Sequence, residues 1–306
     1  MVPFDWYYFD ISTPDGRDLV ITYHVRPFTT AFDISIVDVF LYHNGRQAWH
    51  HFFPLPLRML HTTPGEVTWD EDNAITFADD GIHFRAKHQE FAIRGYFQQP
   101  VVPDEMVELN LLTDSDQEKY FKWQLRLPRA PAHVEVQIDS KQLAVSGQGY
   151  HDRNFGNVFL GKEIASWRWG KFYFPDYMMI LGEVVERHRG RNTIVVEVKK
   201  RTRLHPRAQL QWDAATVTLQ LPSGAMGLEK VSSSCLDDIR FFAPHRPSAI
   251  PLGLKFRELL GFYVQRLNIQ PLIRRTANAR YRRLKETYVI QGQSVRAFVE
   301  EMNFDG

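Results

Sequence analysis

Gly147-Gln148-Gly149-Tyr150-His151-Asp152-Arg153-Asn154-Phe155-Gly156 lies almost at the midpoint of a chain of 306 residues. It sets five polar or ionisable side chains between glycines, with aromatic sequence on both sides. In an extended chain alternate side chains share a face. Tyr150, Asp152 and Asn154 then point one way, and His151 and Arg153 the other. A carboxylate with a phenol and an amide on one face of a barrel strand is a way to place a single acid in an apolar cavity. The competing reading is a turn-rich linker carrying a solvated Asp-Arg pair.

Outward from this stretch the pattern is of short period-two runs rich in Val, Ile, Phe and Tyr, punctuated by turns. Asp5–Ile11, Asp18–Val25 and Asp33–Tyr42 are followed by Ala74–Phe77, Ile82–Ala86, Glu90–Phe97, Met106–Leu112 and Tyr120–Leu127. Pro14-Asp15-Gly16, Asn44-Gly45 and Asp79-Asp80-Gly81 separate them, and Asn-Gly is a strong hairpin signal. Leu127-Pro128-Arg129-Ala130-Pro131 predicts a break before His133–Ile138 and Gln142–Ser146 resume the rhythm. Strands at this spacing without long helices between them predict an all-β protein of antiparallel sandwich or barrel type.

Past the motif the pattern restarts. Ser166-Trp167-Arg168-Trp169, then Pro175-Asp176, then Tyr177–Val185 resembles Asp5-Trp6-Tyr7-Tyr8, then Pro14-Asp15-Gly16, then Asp18–Val25. This weak internal repeat predicts two β-domains, 1–162 and 163–306; one continuous large barrel is the alternative. Further strands are expected at Thr193–Val198, Gln209–Trp212, Thr216–Leu221, Ser232–Leu236, Tyr288–Gln291 and Val295–Met302. Between them, Leu252, Phe256, Leu259, Leu260 and Tyr263 have helical spacing. Arg266, Arg274, Arg275, Arg280, Arg282, Arg283 and Lys285 follow. The segment 252–285 reads as a helix packed on a barrel, as a lid, or as an interfacial helix meeting anionic lipid.

Composition narrows the function. Apolar residues make up 44% and aromatics 13%, including 22 Phe, 12 Tyr and 7 Trp, enough for a large core with rings left to line a cavity. A formal charge of +1 gives no whole-molecule attraction to nucleic acid. The lone cysteine, Cys235, allows no internal disulfide, and its Ser-Ser-Ser-Cys-Leu setting has no base to activate it. The N-terminal Met1-Val2-Pro3-Phe4-Asp5-Trp6 has neither the basic nor the apolar region of a signal peptide, so a cytoplasmic protein is expected. The 12 histidines form no metal-ligand spacing, and there is no phosphate loop, nucleophile elbow or dinucleotide fingerprint. The expectation is therefore no metal and no organic cofactor.

Two stretches carry a family resemblance. Asp5-Trp6-Tyr7-Tyr8-Phe9-Asp10 is similar to the Glu-Trp-Trp-Tyr-Phe-Asp opening of a two-domain lipocalin-like superfamily. Gly149-Tyr150-His151-Asp152-Arg153-Asn154-Phe155-Gly156 resembles the Gly-Tyr-His-Asp-His-Asn-Trp-Gly motif of its carotenoid 1,2-hydratase branch. The resemblance implies two calycin-type barrels, a hydrophobic cavity and cofactor-free water addition to an isoprenoid double bond. It also admits the cyclases and Diels–Alderases of natural-product pathways. It assigns the acid to Asp152, supported by Tyr150. Arg153 stands where the motif has histidine and Phe155 where it has tryptophan; these departures leave the acid intact and bear on the substrate.

The expected chemistry is acid-initiated. Asp152 protonates a C=C bond, and the cation is hydrated or cyclised. His151 and Asn154 border the substrate, and Trp6, Tyr8, Trp123, Trp167 and Trp169 offer π faces to the cation. A pericyclase relying on Tyr150 and Asn154, and a non-catalytic binder of an apolar ligand, are the alternatives.

Overall fold

The computed structural model describes residues 4–27, 34–99, 106–113, 118–240 and 279–304. Among them almost every regular element is a strand. They are β1 (Phe4–Ser12), β2 (Arg17–Arg26), β3 (Ile34–His43), β4 (Arg46–Pro56), β5 (His61–Thr63), β6 (Glu66–Asp70), β7 (Asn73–Ala78), β8 (Gly81–His88), β9 (Phe91–Gln98), β10 (Val107–Asn110), β11 (Phe121–Ile138) and β12 (Lys141–Gly156). A single α-helical turn, Leu160–Glu163, precedes β13 (Ile164–Tyr173), β14 (Met178–Glu186), β15 (Gly190–Val198), β16 (Thr202–Leu204), β17 (Gln209–Trp212), β18 (Thr216–Leu221), β19 (Gly224–Arg240), β20 (Arg280–Ile290) and β21 (Gln293–Asn303).

These strands make two antiparallel sheets, each lipocalin-like. The first runs β4-β3-β2-β1-β12-β11-β9-β8-β7-β6-β5, with β10 also on β11; the second runs β16-β15-β14-β13-β21-β20-β19-β18-β17. In each, the aromatic opening strand lies against the closing strand: β1 pairs β12 and β13 pairs β21. The described chain divides into two compact units. Unit one is Met1–Phe159, Asp176–Met178 and Val196–His205; unit two is Leu160–Pro175, Met179–Val195 and Pro206–Gly306.

Parity explains the first sheet. Tyr7, Phe9 and Ile11 of β1, Leu19, Ile21 and Tyr23 of β2, and Val37 and Val39 of β3 share one face and form its apolar core. Fully burying such a side chain contributes about 1.5–3 kcal/mol, so this face sets the register. Asn44 and Gly45 both adopt positive φ, 51° and 75°, as a tight β3–β4 hairpin requires. Glycine in the motif reflects crowding: a Cβ on Gly147 would lie 2.3 Å from the Ser12 carbonyl oxygen.

Two expectations are corrected. The break at Leu127–Pro131 is not a gap. β11 continues through it, with register shifts at Leu125/Leu127 and Leu127/Ala130; the second takes in Pro128, which lacks an N–H, while Pro131 stays in register opposite Gln148. The helix expected to reach Lys285 does not: Arg280–Lys285 belongs to strand β20, between β19 and β21. The arginines there meet acids across the sheet, Arg280 on Asp238, Arg282 on Glu301, and Arg283 on Asp237 and Glu300. A local helical pattern cannot show such partners, because they come from other strands. Residues 252–278 lie outside the described residues. Among the described residues no helix is long and apolar enough to cross a membrane.

Candidate active site

β12 carries the motif as a regular strand between β1 and β11. Its register sets Tyr8 opposite Asp152, Trp6 opposite Asn154 and Asp10 opposite Tyr150 on the β1 side. On the β11 side Leu125 faces Asp152 and Trp123 faces Asn154. Directly opposed residues point to the same side of a sheet. Trp6, Tyr8, Asp10, Trp123, Tyr150, Asp152 and Asn154 therefore share the face opposite the apolar core, yet Asp152 is only 4% exposed and Tyr150 1%.

Asp152 holds an ordered donor set. Trp123 Nε1 donates to Oδ2 at 2.8 Å, the Tyr150 hydroxyl donates to the same oxygen at 2.5 Å, and Asn154 Nδ2 donates to Oδ1 at 2.9 Å. Indole N–H is a donor only, so its direction is fixed. Burial, then the adjacent Asp152 carboxylate, holds the Tyr150 phenol well above its ordinary pKa, so it stays protonated. The Tyr8 ring meets Tyr150 edge-on with centroids 6.1 Å apart, and Trp6 stacks on Phe4 at 5.3 Å.

The odd positions do different work. His151 is fully buried on the core face, stacked on Phe9 at 4.1 Å, with Nδ1 2.8 Å from the Tyr8 carbonyl oxygen. That contact makes Nδ1 the protonated nitrogen, and burial pushes the imidazole pKa down to about 3. Arg153 makes a two-pronged bond to Asp5, at 2.9 and 2.7 Å, and lies over the Tyr7 and Phe155 rings. Its charge is thus engaged on the side away from Asp152.

The structure brings Tyr150, Asp152, Asn154, Trp6, Tyr8 and Trp123 together on one face and puts His151 on the other. Trp167 and Trp169 belong to unit two, where Trp167 meets Phe304 edge-on at 5.5 Å and the Lys171 ammonium lies 5.7 Å from the Trp169 ring centre. Sequence reasoning missed a polar extension of the same face. Register carries it from Tyr8 to Thr22 and on to Asp38, and from Trp6 to His24. His50 Nε2 lies 2.6 Å from Asp38 Oδ1, and the imidazole stacks on Phe40. Burial pushes the His24 pKa down. No local signal marked it: the Asn44-Gly45 turn alone would set Phe40 opposite Trp49, and a register shift between Leu41 and Tyr42 brings His50 there instead.

Fold and site together define a class, the lipocalin-like β proteins with a buried acid on the strand beside the N-terminal one. The model of the family described as carotenoid hydratase CrtC matches residues 37–219, more than half of the chain and including the whole motif. The chain belongs to the carotenoid hydratase CrtC family. Membership places it among hydratase-like enzymes of hydro-lyase type that act on small hydrophobic substrates.

Solved structures share the fold at low identity. CghA, solved with Sch210972, has a TM-score of 0.60 and 11% identity over 100% of this chain and 89% of that one. A protein described as AttH from Nitrosomonas europaea has a TM-score of 0.56 and 13% identity over 99% and 93%. Kievitone hydratase from Nectria haematococca has a TM-score of 0.52 and 11% identity over 99% and 90%. No curated protein matches the sequence at a significant level.

Proposed function

We propose that the chain is a cofactor-independent enzyme that protonates a C=C bond of an isoprenoid or polyene with Asp152 and directs the resulting cation to water or to an internal double bond. The observation that carries this is the donor set on Asp152. Trp123 and Tyr150 occupy both lone pairs of Oδ2. A proton on the acid therefore sits on Oδ1. Alkene protonation needs a strong acid in a dry site. In the acting form the carboxyl is protonated, and the two donors on Oδ2 stabilise the carboxylate left when the proton departs. Charge develops where the donors already point, so the transfer requires little reorganisation.

The step balances. The Oδ1 proton forms a C–H bond at one alkene carbon and leaves a tertiary cation. The rings of Trp6 and Tyr8, on the same face, offer π density to it. Water bonds to the cationic carbon, and one of its protons returns to Asp152. In the cyclase version a second double bond attacks, and the proton returns from the neighbouring carbon.

Turnover of an acyclic carotenoid in D2O tests this. One deuterium bonded to carbon per product is the expected result. Product formed without any carbon-bound deuterium overturns the acid role and leaves a pericyclic reaction.

A further inference from the structure

The polar extension of the Asp152 face ends in a group of acceptors. Register runs from Asp152 to Tyr8, to Thr22 and to Asp38, so the two carboxylates lie three strand spacings apart, about 14 Å along the sheet. His50 stands beside Asp38 only because of the register shift between Leu41 and Tyr42; bulges of this kind re-aim a side chain. The surroundings on that face are apolar and covered: Val20, Ile36 and Phe40 are at most 7% exposed.

The polar atoms among them stay open. The side chains of Asp38 and His50 are 22% and 8% exposed. His50 Nε2 donates to Asp38 Oδ1 at 2.6 Å, which makes Nε2 the protonated nitrogen and leaves Nδ1 an acceptor. Asp38 Oδ2 and His50 Nδ1 have no hydrogen-bond partner among the described residues, and both remain accessible. His24 lies beside them, its ring centre 6.4 Å from that of Trp6; it is partly exposed and likewise without a hydrogen bond among the described residues. Burial pushes its pKa down, so it is neutral at neutral pH. The group therefore offers lone pairs and one negative charge. It repels a carboxylate or phosphate and is satisfied by an O–H donor.

We infer that Asp38 anchors a hydroxyl group at the far end of the molecule whose double bond lies at Asp152: the hydroxyl donates to Oδ2, His50 holds the carboxylate in place through Oδ1, and the carbon chain lies along Tyr8 and Thr22. The substrate class narrows to hydroxylated isoprenoids. An acyclic hydrocarbon still reaches Asp152 but leaves the anchor unfilled. The length of the molecule rests on the proposed role of Asp152; the choice of a hydroxyl does not.

Tryptophan-fluorescence titration of the full chain carrying Asp152→Asn, which cannot turn its ligand over, tests the inference. The probes are geraniol, farnesol and geranylgeraniol, whose hydroxyls lie progressively further from the terminal double bond, with the methyl ether of each and farnesyl phosphate. Farnesol comes nearest to the spacing on the sheet. It is expected to bind more tightly than geraniol, and roughly tenfold more tightly than its own ether, which cannot donate. Farnesyl phosphate is expected to bind more weakly than farnesol. Asp38→Asn sets an amide donor where the acceptor was and erases the preference for alcohol over ether. The alcohol–ether comparison needs no change at Asp38, so it stands even if that variant misfolds. Equal binding of alcohol and ether, tighter binding of the phosphate than of farnesol, or a preference that Asp38→Asn leaves unchanged overturns the inference. A hydroxyl preference with no dependence on chain length upholds the anchor and counts against Asp152 as the partner of the double bond.

Discussion

Replacing Tyr150 by Phe removes one oxygen and little else. The phenyl ring keeps its place beside Tyr8, and Trp123 remains on Asp152 Oδ2. What is lost is a 2.5 Å bond from a buried hydroxyl to a carboxylate. A hydrogen bond to a charged group contributes about 1.5–3 kcal/mol. In the proposed reaction that stabilisation is felt once the proton has left Asp152, so the variant is a weaker acid. The expected result is a fall in kcat of roughly 10-fold to 100-fold with KM little changed. The sign of the pH effect follows. Asp152 acts protonated, so activity declines as pH rises through its ionisation; losing a donor to the carboxylate moves that decline to higher pH, by about 1–2 pH units. Steady-state turnover of an acyclic carotenoid across pH, with product followed by mass spectrometry, reads both quantities. Unchanged kcat together with an unmoved descending limb refutes the reasoning.

Asp152→Asn preserves shape and removes the transferable proton; turnover is expected to fall by roughly 100-fold to 10,000-fold with substrate still bound in a fluorescence titration. Histidines held neutral in the fold, His151 fully buried and His51 half-buried, predict an acid-labile fold. His151 and His51 have folded pKa values pushed down to about 3 and about 4, below the unfolded value near 6.5. The unfolded chain therefore binds more protons in between, and stability is lost as pH falls from about 6.5 towards those values. Thermal melts between pH 7 and about pH 5.5, a window above the carboxylate range, should show Tm falling, and less steeply in His151→Leu. Arg283 is 3% exposed and bonded to Asp237 and Glu300; Arg283→Ala strands two acids and should cost about 3–5 kcal/mol in urea unfolding.

Strand character and facing were legible locally. The glycine-bounded motif alternates, so Tyr150, Asp152 and Asn154 fall on one side and His151 and Arg153 on the other whatever lies next to the strand. The Asn44-Gly45 turn and the two aromatic openings are equally local signals, each set by backbone sterics or side-chain periodicity within a few residues. Which strand lies beside the motif is not local. Tyr8 reaches Asp152 across 144 positions of sequence, and Trp123 becomes its hydrogen-bond donor only because β11 crosses its proline-rich stretch with its register shifted. The fate of the arginines at Arg280–Arg283 was hidden for the same reason. Read in sequence they are an uncompensated basic run; on β20 they lie between strands that supply Asp237, Asp238, Glu300 and Glu301. Periodicity determines which way each side chain faces along its own strand. Only long-range pairing, selected by burying the apolar faces together, determines which charges and donors those side chains meet.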